Sequence, residues 1–306
     1  MGVLACVWLP GCGASSSPRP TAVTLDRLAP HWEDAFERTP EILVFARPQA
    51  LRRDAVYGPL VKMLSALAAA RAPAGVGARS ADAFESADEV VVGLCAADEM
   101  VVVIRGVRPD LDPERLTDPA GLPLWSAARD HARTPELVHD RGDAPVSSLF
   151  VLPQRTWVLA SGAARGRVRE AFASPLGRSA PPHDDRALIA LRLDGPSLVR
   201  SVPRLDAREG LLAPIGRDLR VVTLVLGPAK EGVVATFAYA DEAAATASEA
   251  TLRRVVDVLA RERSGRTAWL GSAKIGREGR DVRAHVDLPA SLLQGLPNAT
   301  PADLGL

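Results

Sequence analysis

Three side chains near the C-terminus, Arg283, His285 and Asp287, alternate with the apolar residues Val282, Ala284, Val286 and Leu288. With the two-residue period of a strand, the polar three share one face and the apolar four the other. A histidine oriented by a carboxylate is the general-base half of a hydrolase, so His285 and Asp287 are the catalytic candidates, with a Ser or Thr from another segment as nucleophile. The plainer account is the solvated outer face of a hairpin. His183, Asp184 and Asp185 place three metal-capable side chains in a row inside a Pro-rich stretch. Adjacent residues seldom converge on one ion without further ligands, and His31, His131, His139 and His285 all lie well away in sequence.

Asp110, Asp112 and Glu114 begin like a calcium loop, but the spacing stops there and no Gly turn follows. Asp112-Pro113-Glu114 reads better as a helix start, with Asp capping and Pro in the first turn. Cys95 sits in an apolar run, where a buried, unreactive thiol is expected. The sequence holds no phosphate-cradling loop, nucleophile elbow, His-Glu-x-x-His helix, EF-hand or paired Cys-x-x-Cys. It therefore assigns no catalytic, cofactor or metal residue, and the rival to a hydrolase is a protein that binds rather than reacts.

The whole chain has 306 residues with 37 Lys+Arg against 37 Asp+Glu, so it carries no electrostatic footprint for nucleic acid. An apolar content of 47% rules out disorder across the body. Lys62, Lys230 and Lys274 are the only lysines, which reads as the codon bias of a GC-rich genome.

Chemistry of a different kind stands at the N-terminus. Val3 to Leu9 is a short apolar stretch, far below the roughly 20 residues that span a bilayer. Leu9-Pro10-Gly11-Cys12 resembles the lipobox of bacterial lipoproteins, and the resemblance implies that Cys12 becomes the first mature residue and carries lipid. The membrane is then a partner through that lipid, and residues 1–11 form a signal peptide. No Lys or Arg precedes the apolar core, and the core is short; a start codon placed too late accounts for both. The Ser- and Pro-rich residues 13–22 read as a tether reaching about 35 Å when extended. Gly13 rather than Asp after Cys12 resembles the sorting pattern that sends enterobacterial lipoproteins to the outer membrane. With Cys6 removed and Cys12 lipidated, Cys95 has no intramolecular disulfide partner.

Behind the tether, Trp32 and Phe36 fall on one face of a short helix around residues 30–38. The body then reads strand (Ile42 to Ala46), helix (from Pro48), loop (72–80), hairpin (Val90 to Cys95 and Met100 to Val107), a helix from Asp112, a second hairpin around Pro153 and a helix capped by Ser161. Residues 118–147 carry no clear pattern. After the Pro-rich loop the order begins again: strand 187–193, a helix opened by Asp194-Gly195-Pro196, a hairpin around 227–232, a helix capped by Asp241 over 242–263, a hairpin of Trp269 to Ile275 and Val282 to Leu288, and a short helix opened by Pro289. The spacing thus predicts an α+β fold of two similar units, each an antiparallel sheet with helices packed on at least one face. The segments are 12–38 for the anchored tether and short helix, 39–175 and 186–296 for the units, 176–185 for the connector and 297–306 for the tail.

Thr39 to Phe45, Val101 to Gly106 with Asp112 to Leu116, and the hairpin leading into an Ala-rich helix at 221–260 are similar to a loose group of uncharacterised exported proteins of soil bacteria such as myxobacteria. The resemblance rests on hydrophobic pattern and implies no activity. The expected function is a non-catalytic, periplasm-facing lipoprotein that binds or scaffolds. The alternatives are the hydrolase above and a carrier of apolar ligands such as lipids, with a pocket between sheet and helices.

Overall fold

Runs of Val, Ile, Leu and Phe build twelve strands in the computed structural model, which describes residues 30–289 except 37–38, 59, 63, 66–76, 97–98, 119, 129–134, 141–145, 176–185, 203–204, 206–211, 229–230 and 262–266. The strands are β1 (Ile42–Ala46), β2 (Glu89–Ala96), β3 (Glu99–Arg105), β4 (Ser126–Ala127), β5 (Glu136–His139), β6 (Ser147–Leu152), β7 (Thr156–Ser161), β8 (Ile189–Asp194), β9 (Leu219–Leu226), β10 (Val233–Tyr239), β11 (Lys274–Glu278) and β12 (Asp281–Val286). All belong to one antiparallel sheet of order β11-β12-β10-β9-β8-β1-β2-β3-β7-β6-β5-β4. The helices are α1 (Pro48–Arg53), α2 (Gly77–Ser86), α3 (Ala164–Ala173), α4 (Gly195–Ser201), α5 (Ala213–Gly216) and α6 (Glu242–Ala260). The fold is α+β.

The strand order runs outward from the centre as β1-β2-β3-β7-β6 on one side and β8-β9-β10-β12-β11 on the other. The central pair joins these halves in register, Val44 opposite Leu191 and Phe45 opposite Ala190, into a continuous sheet. The short β4 and β5 extend only the first side. The connector 176–185 and the tail 297–306 lie outside the described residues, as does all of the short helix expected to open at Pro289 beyond Pro289 itself.

In the first half both faces of the sheet are covered. On one face Phe45, Val91, Val103, Val158 and Phe150 lie beneath Trp32 of the 3-10 turn Trp32–Ala35, beneath Phe36 that follows it, and beneath Val168 and Phe172 of α3. The Phe150 and Phe172 rings meet edge to face at 5.3 Å. On the other face Val90, Ile104, Leu149 and Trp157 pack with Ala83 and Phe84 of α2 and with Leu116, Leu124 and Trp125. Each such fully buried apolar side chain contributes about 1.5–3 kcal/mol. Covering on both faces explains why β2 and β3 read as unbroken apolar runs rather than alternating ones.

The second half is covered mainly on one face. Leu198 and Val199 of α4 and Ala245, Leu252 and Val256 of α6 pack on Leu219, Val222, Phe237, Ile275 and Val282. On the opposite face Arg192, Thr223, Val225, Val234, Thr236, Arg283 and His285 are all partly or fully exposed.

Aspartates set the helix starts that the sequence suggests. Asp241 Oδ1 accepts from the Ala244 N–H at 2.8 Å, and Asp194 Oδ2 accepts from the Ser197 N–H at 3.0 Å and the Ser197 hydroxyl at 2.8 Å. Gly195 lets α4 seat against β9, because a Cβ there would stand 2.3 Å from the Leu219 carbonyl oxygen. Other readings need correction. The expected loop 72–80 overlaps α2, which begins at Gly77. The helix expected from Asp112 is a three-residue 3-10 turn, Pro113–Arg115, because Leu116 turns extended to be buried and to accept from the Leu124 N–H at 2.8 Å. The unclear stretch 118–147 contains β4 and β5. Ser161 does not cap α3, whose N-cap Ala163 makes no side-chain bond. Trp269 lies in a 3-10 turn, Ala268–Ser272, and the last hairpin starts at Lys274. The deeply buried face of α6 is Ala244, Ala245, Ser248 and Thr251, whereas Val258 and Leu259 at its end are exposed.

Candidate functional site

His285 stands on β12 opposite Val234 and Lys274. Its Nε2 lies 2.8 Å from the Glu231 carbonyl oxygen in the β9–β10 turn. A neutral ring donates its Nε2 proton to that oxygen and presents only Nδ1 as a base. Among the described residues, neither Asp287 nor any Ser or Thr hydroxyl hydrogen-bonds to the ring. The Asp287 charge bears instead on Tyr57, whose hydroxyl pKa is raised by burial first and then by Asp54 and Asp287. The structure holds this histidine to a turn and, among the described residues, brings no nucleophile within hydrogen-bond reach of it.

His183, Asp184 and Asp185 lie outside the described residues, as does Cys12. Among the described residues, no three His, Cys, Asp or Glu side chains are grouped to hold a metal. Asp110 accepts two bonds from Arg108, at 3.0 and 2.8 Å, and Asp112 caps its 3-10 turn through the Glu114 N–H at 3.1 Å, so both carboxylates have structural work. Cys95 is 5% exposed, a buried thiol as its apolar surroundings suggest.

A cleft of about 380 Å³ opens between α1 and α2, lined by Gln49, Arg52, Arg53, Asp82, Glu85, Ser86 and Arg108. Two of its cations are matched locally, Arg52 with Glu85 at 2.9 Å and Arg108 with Asp110 at 2.8 Å. Glu136 forms a buried anionic centre on β5. Its carboxylate accepts from the Ser148 hydroxyl at 2.6 Å and from Arg169 of α3 at 2.7 and 2.8 Å. Burial pushes its pKa up, but the bonds from Arg169 and Ser148 and the charges of Arg169 and Arg165 outweigh this, and the net pKa is lowered. This centre fixes α3 to the sheet.

A less expected feature lies at the middle of the sheet, on the face that carries α1, α2, α4 and α6. Register places Val92, Val44, Leu191, Leu224, Ala235 and Ala284 side by side on β2, β1, β8, β9, β10 and β12. Every one is apolar and only partly buried. Of these, Val44, Leu191, Leu224 and Ala235 join none of the core clusters formed among the described residues. The next row on one side, including Ala46, Ile189, Leu226 and Val233, packs largely under Leu51, Tyr57 and Leu60. The next row on the other, including Leu193, Val222, Phe237 and Val282, packs under α4 and α6. Among the described residues, an apolar trough of partly buried side chains therefore crosses the strands between two helical layers. Hydrophobic pattern identifies the strands but not the trough, which exists only once β1 pairs with β8.

No protein-family model and no curated protein matches the chain. Solved structures do. Crystal form III of TP0453 is similar at a TM-score of 0.51 and 9% identity, over 87% of this chain and 98% of that one. Form IV gives 0.50 and 9%, over 88% and 97%, and form I gives 0.50 and 10%, over 88% and 97%. At such identity the likeness is one of fold, and it extends over nearly the whole length of both chains.

Proposed function

We propose that this chain is a non-catalytic lipoprotein of the cell envelope, anchored by lipid on Cys12 and facing the periplasm, whose α+β body binds or scaffolds. The observation that carries the reading is Leu9-Pro10-Gly11-Cys12 followed by a Ser- and Pro-rich stretch. Gly13 after the cysteine favours the outer membrane over the inner. Attachment by lipid accords with a described body in which no helix is long and apolar enough to cross a membrane. The matched strand orders on the two sides of the sheet support a body of two similar units. Fractionation tests the anchor. The protein should sediment with membranes and be released by detergent but not by salt, and Cys12→Ser should leave it in the soluble fraction. Equal sedimentation of both would refute the assignment.

A second reading, a carrier of apolar ligands such as lipids, is favoured by the partly exposed apolar trough across the centre of the sheet. It is compatible with the anchor, since a tethered body can present a ligand at a membrane.

A further inference from the structure

We propose that β11 pairs with the β11 of a second copy of this chain, antiparallel about a two-fold axis at Gly276, so that Lys274 of each copy meets Glu278 of the other. β11 is an end strand of the sheet and, among the described residues, pairs along one side only, with β12. Lys274, Gly276, Arg277 and Glu278 are all exposed. The direction of the backbone groups follows from the turn. Glu278 and Asp281 flank the turn Gly279-Arg280, which makes them a hydrogen-bonded pair. Alternation then aims the N–H and C=O of Lys274 and Gly276 at β12 and those of Ile275 and Arg277 at the free edge. The Ile275 carbonyl oxygen accordingly accepts from Arg253 of α6, and its second lone pair can still accept from another strand.

Charge selects the occupant and the register. An antiparallel copy centred on Gly276 sets Ile275 opposite Arg277 as hydrogen-bonded pairs and Lys274 opposite Glu278 as non-hydrogen-bonded pairs, whose side chains approach most closely. Lys274 has no ion-pair partner among the described residues, and the Glu278 side chain is 76% exposed beside its contact with Arg283 at 3.1 Å. At the axis nothing stands within 4 Å of the place a Gly276 Cβ would take, so the two backbones can close. An axis at Arg277 would instead oppose Arg277 to Arg277 and Lys274 to Arg280, all like charges. An axis at Ile275 would set Lys274 against Gly276 and Glu278 against Ser272 of the 3-10 turn, with no ion pair. Charged residues on an edge strand commonly deter pairing. Here the same two charges attract in one register. Five residues per copy fall well short of the roughly 20–30 a side of a standard interface, so the pairing is transient in dilute solution and covalent trapping reads it.

The test uses the full chain with Cys6→Ser and Cys12→Ser, which leaves the buried Cys95 as its one native thiol and reads association apart from any lipid anchor. Opposed non-hydrogen-bonded positions lie about 4.5 Å apart at Cα, within disulfide reach, whereas the two Glu278 positions would lie about 14 Å apart along the strands. Under mild oxidation Gly276→Cys should form a disulfide-linked dimer at least about tenfold faster than Glu278→Cys. In the Gly276→Cys background, Lys274→Glu or Glu278→Lys alone should slow trapping at least about threefold, and the two together should restore it. A mixture of Lys274→Cys with Glu278→Cys should give the mixed disulfide ahead of either homodimer, a reading that stands even where Gly276→Cys disturbs the hairpin. Gly276→Cys trapped no faster than Glu278→Cys, with native circular dichroism in both, overturns the pairing. A double charge reversal that traps no faster than the single ones, or a mixed disulfide at no more than its statistical share, overturns it as well.

Discussion

Replacing Glu136 by glutamine tests whether α3 is held to the sheet by charge. The Glu136 side chain is 2% exposed and accepts three bonds, one from Ser148 and two from Arg169. The substituted amide would keep the volume but offer one acceptor oxygen and an NH₂ group that faces the donors of Arg169 and Ser148. Breaking a buried pair costs about 3–5 kcal/mol, and a hydrogen bond to a charged group is worth about 1.5–3. Arg169 is 43% exposed and recovers part of its hydration, so the expected loss is about 2–3 kcal/mol at neutral pH. At roughly 2 °C per kcal/mol for a chain of this size, the melting temperature should fall by about 4–6 °C. The pH dependence gives the sharper reading. Glu136 has a folded pKa below its unfolded value of about 4.3, so its stabilisation is complete above that value and is lost as pH falls through the folded pKa. The gap between wild type and Glu136→Gln should therefore be constant above about pH 5 and narrow as pH falls through the lowered folded pKa. Thermal unfolding followed by circular dichroism across that range decides it; equal melting temperatures at neutral pH, or a gap that persists in acid, would refute the reasoning.

Three further outcomes follow from named contacts. Gly195→Ala should destabilise by about 1–3 kcal/mol, since its Cβ meets the Leu219 carbonyl oxygen at 2.3 Å and backbone must move, and urea unfolding measures the loss. The two tyrosines should both titrate above the usual value of about 10, Tyr239 at about 12 because it is buried and Tyr57 in the same direction. Folded chain thus holds these protons more tightly than unfolded chain, and stability should fall as pH rises above about 10; a tyrosine ionising at that pH with the fold intact would count against the burial of that residue. Cys95 should react with a thiol reagent only as the protein unfolds, being 5% exposed, and prompt modification of the native protein would contradict its placement.

Much of this architecture is legible in the residues because local chemistry and tertiary environment agree. Asp194-Gly195-Pro196 and Asp241 announce α4 and α6 through capping groups that the fold uses as expected. The hairpins β2–β3 and β9–β10 show as paired apolar runs. The 3-10 turn at Pro113 differs from the expected helix because a cap signal says where a helix begins, while the demand of the core for Leu116 says how soon it ends. The short β4 and β5 escape notice because two to four residues carry too little periodicity. In α6 the Leu and Val stripe dominates the pattern, yet small residues make the closest approach to the core, with Tyr239 hydrogen-bonding Ser248 across it. The candidate pair His285 and Asp287 is defined by local spacing, but the bond from His285 to Glu231 comes from a turn 54 residues away, which no local spacing reveals. The trough is invisible for the same reason, since its central pair, Val44 and Leu191, is made by a strand pairing across the two halves of the chain.

The anchor is the claim on which the envelope assignment depends, and intact mass tests it most directly. The protein is expressed in a Gram-negative host with a basic segment supplied ahead of Met1, and the mature species is weighed with and without Cys12→Ala. The account predicts a chain beginning at Cys12, heavier than its polypeptide by a diacylglyceryl and an acyl group, and the loss of that adduct in the variant. An unmodified chain that retains residues 1–11 would contradict it.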